Sequence, residues 1–334
     1  MTDSTQTRSR RGCWMTGIAV LLVPILLIIL VSQFTPILNI WLVRTLISRV
    51  TYGEPDNMDE IRRNITAVSD LTYGTEPNSD LDIYYPTDAQ TPLPVVVYIH
   101  GGGFIGGDKS AVQPFAMAIA NEGYLVANIN YGFAPEQPYP TAVTQVNQAL
   151  AYVDEQIADY GGDSDRLFIA GNSAGAQLTS QVAALITNES FATQMDLQPT
   201  ITPEQLKGVV LINGIYNMQT LRETGFPNIG QFMWAYTGAR EFETYHRLNE
   251  ISTIEHVTAD YPPVFITAGD IDPLQSQTLA MIDELNDNDI DVTSALFTDQ
   301  NMGLDHDFIL NLDQPTSEAT FRQLMEFLNQ RANN

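Results

Sequence analysis

The sequence predicts an α/β fold with a mostly parallel central sheet covered by helices on both faces. Three observations carry that prediction. Short apolar, β-branched runs such as residues 95–99 recur along the chain, as expected of strands buried on both sides. Between them lie stretches with apolar residues three and four apart, the helical spacing, as at Val143, Val146, Leu150, Val153 and Ile157. The two patterns alternate, which is the signature of β-α-β units. A hydrophobic fraction of 44% over 334 residues is enough for a sizeable core.

Taken in order, residues 1–50 read as a polar tail and a membrane anchor. Residues 14–31 carry no charge and are long enough to cross a hydrocarbon core. An apolar pattern resumes over residues 37–47, and Trp14 and Trp41 would lie about 40 Å apart along a helix, near the headgroup-to-headgroup span. No small-x-small site closes the run, so an uncleaved anchor is expected rather than a signal peptide. Arginines on both sides nearly balance the positive-inside rule. The short tail before an early apolar run favours a single-pass signal-anchor with the body on the extracytoplasmic side. Residues 51–80 are polar with Pro and Gly, and read as a linker or cap segment.

The folded body is expected over residues 81–334. Strands are predicted at 81–85, 95–99, 124–129, 167–170, 208–212, 264–267 and 292–297. Helices are predicted at 111–121, 141–160, 174–187, 274–285 and 317–328, and residues 188–205 read as a loop. The net charge is −25, and the first 50 residues carry Arg8, Arg10, Arg11, Arg44 and Arg49 against Asp3. The strongly acidic remainder argues against a nucleic-acid partner. Cys13 is the single cysteine, so an internal disulfide is excluded.

The chemistry centres on Gly171-Asn172-Ser173-Ala174-Gly175, placed between an apolar run and a helix-competent run. A serine hydroxyl needs a base and a group to orient that base. Of the four histidines, His306 follows the last strand in a loop before the final helix, where a base for Ser173 is expected. His100 reads as a prop for the glycine run, and His246 and His256 as surface or lid residues. The orienting carboxylate is expected at Asp272, beside Pro273 at the end of the strand 264–267, with Asp270 as the reserve. Gly101-Gly102-Gly103 follows the buried strand 95–99. The amides of Gly102, Gly103 and Ala174 are the expected oxyanion donors. No grouping has metal-ligand spacing, and no phosphate-binding or dinucleotide glycine pattern occurs, so neither metal nor cofactor is expected.

These residues resemble the α/β-hydrolase superfamily, and in particular its hormone-sensitive-lipase-like carboxylesterases and lipases. His100-Gly-Gly-Gly-Phe104 resembles that family's oxyanion motif. The stretch 130–136 with Tyr139-Pro140 is similar to its Tyr-Arg-Leu-Ala-Pro-Glu segment, and Asp272-Pro273-Leu274 and His306-x-Phe308 match its acid and base motifs. Three positions depart from the pattern: Asn172 stands where the family usually has Asp, Gly132-Phe133 replaces Arg-Leu, and Asp307 replaces the Gly after the histidine. The resemblance implies a catalytic triad of Ser173, Asp272 and His306 acting on a small-molecule ester. Amide or peptide hydrolysis by the same triad, acyl transfer, or a non-catalytic adhesion domain are the alternatives. Residues 213–258, with Phe226, Phe232, Met233, Trp234, Tyr236 and Tyr245, are expected to form a lid over an apolar acyl or aryl pocket.

Overall fold

The computed structural model describes residues 34–47, 50–90, 92–298 and 300–333. Residues 14–31, expected to span a membrane, lie outside the described residues. Among the latter, no helix is long and apolar enough to cross a membrane.

Eight strands form one sheet: β1 (Ile65–Thr72), β2 (Asp80–Pro86), β3 (Leu93–Ile99), β4 (Leu125–Ile129), β5 (Gly162–Asn172), β6 (Leu206–Ile212), β7 (Val264–Ala268) and β8 (Val292–Leu296). Their order is β1-β2-β4-β3-β5-β6-β7-β8. Only β1/β2 and β2/β4 pair antiparallel; from β4 to β8 every pairing is parallel. The apolar runs are continuous because both faces are covered. Val95, Val97 and Ile99 of β3 pack with α4 (Thr141–Gln156) and α5 (Ala174–Thr187). Val96 and Tyr98 pack on the opposite face with α3 (Gln113–Asn121) and α10 (Pro315–Ala332). Each of these fully buried side chains contributes about 1.5–3 kcal/mol of transfer free energy.

Two sequence expectations are corrected. Residues 51–80 are not a linker: they contain α2 (Met58–Asn64) and the whole of β1, so the sheet begins at residue 65. β1 alternates buried and exposed positions irregularly, as an edge strand with one wet face does. The predicted loop 188–205 begins with a short helix, α6 (Glu189–Met195), whose N-cap Asn188 accepts a hydrogen bond from the Phe191 amide.

Lys109 ties the edge of the sheet to the loop that follows β3. Its buried ammonium lies 2.7 Å from Asp70, 2.6 Å from Asp80 and 3.1 Å from Asp82, which lifts its pKa although burial alone would lower it. Its backbone is held by Asn128 and Asn130 at 2.8 Å each.

At the N-terminal side, α1 (Ile37–Ile47) packs across α7 (Ile229–Thr237). Ile40 is buried there and the Asn39 amide donates to Gln231. Arg44 donates to the Ile105 and Ala134 carbonyls and pairs with Glu136. The other side of this segment leaves Phe34, Ile37, Trp41 and Leu42 exposed. Beyond α7 the region 213–258 adds α8 (Leu248–Ile251), and α9 (Gln275–Asp287) covers the sheet after β7.

Candidate active site

Ser173 sits between β5 and α5 at φ 54°, ψ −120°, a conformation that L-residues adopt at a cost. The local sequence makes it possible. A Cβ on Gly171 would lie 2.5 Å from the Gly175 carbonyl carbon, and one on Gly175 would lie 2.1 Å from the Ile99 carbonyl oxygen. The two glycines therefore let strand, turn and helix close on one another and on the end of β3. The Ser173 amide donates to Ile212 of β6 at 2.8 Å, which fixes the turn to the sheet. Ala174 opens α5, so its amide belongs to the unpaired first turn of a helix.

His306 and Asp272 arrive from two loops beyond β7 and β8. The Asp270 carboxylate accepts the Gly303 and Leu304 amides at 3.0 and 2.6 Å. Gly269 packs so closely on Leu304 that a Cβ would lie 2.1 Å from its carbonyl. Asp270 thus clamps the histidine loop, while Asp272 faces the imidazole. Both Asp272 oxygens lie 3.1 Å from His306 Nδ1, and His306 Nε2 lies 2.9 Å from Ser173 Oγ. Asp272 also accepts from the Asn213 side-chain amide and the Leu274 amide. Burial would raise its pKa, but the His306 contact and these donors hold it below the usual carboxylate range. For His306, burial works against the imidazolium. The nearby charges of Asp307 and Asp272 outweigh it and lift the pKa to about 9.

The glycine run lies opposite. Gly102 has φ 129° and a Cβ there would lie 1.9 Å from the Gly106 carbonyl oxygen; Gly103 has φ 62° and faces Phe232. Its curl is closed by the Ile105 and Gly106 amides, both donating to the Gly102 carbonyl. Among the described residues, no acceptor takes the Gly102 or Gly103 amide. His100 props this loop: its ring stacks on Tyr131 at 4.6 Å and its Nδ1 lies 2.6 Å from the Gly101 carbonyl. Burial lowers its pKa and keeps it neutral.

Ser173, His306, Gly102 and Gly103 open onto one cavity of about 310 Å³, walled also by Val50, Ala111, Val112, Phe226 and Phe232. Of the six aromatic or methionine residues expected in a lid, Phe226 and Phe232 line it, and Phe226 stands edge-on to the imidazole at 5.0 Å. Met233, Trp234 and Tyr236 are buried packing instead. Tyr236 stacks on Phe104 at 4.0 Å. His246 is exposed and His256 stacks on Phe191, both away from Ser173.

A family model described as BD-FAE matches residues 81–282. The chain belongs to the BD-FAE family. That agrees with the α/β-hydrolase carboxylesterase resemblance carried by the sequence motifs. This BD-FAE chain is 30% identical over 220 residues to esterase LipQ of Mycobacterium tuberculosis, covering 64% of this chain and 51% of that protein. It is 32% identical over 168 residues to kynurenine formamidase of Danio rerio, covering 49% and 52%. It therefore spans about half the length of these two curated relatives. The structure of esterase B from Lactobacillus rhamnosis aligns with a TM-score of 0.73 at 19% identity, over 83% of this chain and 91% of that chain, a likeness of fold.

Two groups at the BD-FAE site escaped the sequence reading. Tyr52, in a segment that reads as linker, donates to Asp307 at 3.0 Å, and Asn172 donates to the same carboxylate at 2.8 Å. Asp307 was visible as a departure from the family pattern, but its contact was not. Tyr52 left no signal in the sequence.

The geometry makes one direct prediction. An NMR titration of the His306 ring should give a midpoint near 9. Asp272→Asn should lower it by about one unit or more. Since the folded value exceeds the unfolded one, the imidazolium stabilises the fold below about pH 6.5 and that contribution is lost as pH rises through 9. A midpoint near 6.5 in the folded protein would contradict this reading.

Proposed function

We propose that the protein is a serine carboxylic-ester hydrolase that acts through an acyl-enzyme on an ester with a compact apolar acyl or aryl group. The observation that carries this reading is the 2.9 Å contact between Ser173 Oγ and His306 Nε2, backed by Asp272 on the far side of the ring. Ser173 Oγ attacks the ester carbonyl carbon and its proton passes to His306 Nε2. The carbonyl oxygen gains the negative charge and is met by the amides of Gly102, Gly103 and Ala174. The tetrahedral species collapses, the carbon–oxygen bond to the alcohol breaks, and the alkoxide takes the proton from His306. Water then repeats the sequence on the acyl-serine and releases the acid. Asp272 holds the ring and stabilises the imidazolium that forms twice per turnover.

Relatives named as esterases support the ester reading, and the formamidase relative keeps an amide within reach of the same chemistry. The cavity is at the low end of ligand-pocket sizes, which favours short acyl chains. No metal or cofactor enters these steps.

A membrane location is part of the proposal. The uncharged run 14–31 is taken as a single-pass anchor, with the catalytic body extracytoplasmic. Phe34, Ile37, Trp41 and Leu42, a few residues further on, are exposed, and exposed large apolar side chains suit a bilayer face.

Hydrolysis of nitrophenyl esters of graded chain length is expected to peak among short chains and to fall by at least about 10⁴-fold in kcat for Ser173→Ala. Turnover unaffected by the substitution, or confined to the matching anilides, would overturn the ester reading. For the location, protease added to intact cells is expected to digest the body; a protected body would contradict it.

A further inference from the structure

Asn172 and Asp307 are far apart in the chain and in contact in the fold. Asp307 follows the base directly and adopts φ 59°. Its carboxyl is buried. Oδ2 accepts from Asn172 Nδ2 at 2.8 Å and from the Tyr52 hydroxyl at 3.0 Å, and lies 3.8 Å from His306 Nε2. Asn172 is oriented by its other end, where Oδ1 accepts the Gly101 amide at 3.0 Å. Its NH₂ therefore points at Asp307. An aspartate at 172 could accept from Gly101 but would set a second carboxylate against Asp307 with no donor between them.

We propose that Asp307 is a positioning residue whose carboxylate, held by Asn172 and Tyr52, supplies a second negative charge beside the His306 imidazolium. This inference rests on Ser173 and His306 acting as nucleophile and base.

The consequence is electrostatic. His306 stands between Asp272 on its Nδ1 side and Asp307 on its Nε2 side. An imidazolium formed when Ser173 gives up its proton is stabilised from both directions. The same attraction keeps a proton on the resting base, so the acid limb of activity moves to higher pH. The other ionisable groups around this pair are Asp305 on the same loop, Tyr52 from the N-terminal segment and Tyr98 from β3. His100 and Asp108 line the same cavity. Both tyrosines are held protonated by burial, and His100 is held neutral by burial. Burial pushes the Asp307 carboxyl up, and the His306 charge and the Asn172 and Tyr52 donors oppose that rise. The two donors on Oδ2 favour the carboxylate against burial, Oδ1 has no partner among the described residues, and the net shift of the carboxyl stays upward.

The test is the pH profile of kcat/KM for an ester with Asp307→Asn, Asn172→Asp and the double variant Asn172→Asp/Asp307→Gly. Asparagine tolerates the left-handed backbone at 307 and keeps the side-chain shape. Asp307→Asn is expected to lower the acid-limb midpoint by about one pH unit. Asn172→Asp is expected to lose about tenfold or more in kcat/KM through like-charge contact, and the double variant to recover most of that loss. An unmoved midpoint in Asp307→Asn, or a double variant no better than Asn172→Asp, would overturn the proposal. The NMR midpoint of His306 in Asp307→Asn needs no turnover and is expected to fall likewise. Should the wild-type protein hydrolyse no ester, that titration still decides the pair separately from the proposed activity.

Discussion

The conformation of Ser173 is the constraint on which the site depends. A non-glycine residue at φ 54°, ψ −120° costs on the order of 1–3 kcal/mol, and persists only where its surroundings over-determine it. Here they do so from three sides. The Ser173 amide is hydrogen-bonded to β6, Gly175 lies against the last residues of β3, and Gly171 closes on Gly175. The turn therefore inherits the rigidity of the parallel sheet. It lifts the hydroxyl clear of the strands, beside the unpaired first amides of α5. Every other element of the site is arranged about that point: the glycine run after β3, the Asp272 loop after β7 and the His306 loop after β8.

Those loops are not loose. Asp270 binds the amides of Gly303 and Leu304, so the acid loop and the base loop are one hydrogen-bonded unit. Asp270 and Asp272 stand two residues apart and divide the work. One carboxylate holds backbone and the other faces the imidazole. The segment carrying Tyr52 is tied to the same unit: the Gly53 amide donates to Asn311 and the Gly53 carbonyl accepts from Leu312. Val50 and Tyr52 of this segment wall the cavity.

Legibility in the sequence followed the range of the interactions. The elbow was readable because its requirements are local: an apolar strand, two glycines and a helix within a short stretch. Asp272 and His306 were readable because each sits just past a recognisable strand, and Gly102 and Gly103 because they follow one. β1 was not. As an edge strand it carries Ser69, Asp70 and Thr72 on exposed positions and lacks the unbroken apolar run that marks β3. α6 was missed because a helix of seven residues leaves too few turns to show a period. Tyr52 and the Asn172–Asp307 contact depend on segments that only the finished fold brings together. Periodicity and motif spacing carry no record of such contacts. The aromatic cluster at 226–245 shows the limit from the other direction: its composition suggested a lid, yet Met233 and Tyr236 are buried in the core, Tyr236 stacked on Phe104.

A serine activated by the histidine facing it reacts with a fluorophosphonate, and mass spectrometry of the full-length protein maps the adduct. A single phosphonylated site is expected, on the peptide containing Ser173, formed rapidly by the wild-type protein and slowly when His306 is replaced by Ala. No adduct, an adduct on a different serine, or labelling indifferent to the loss of His306 would contradict it.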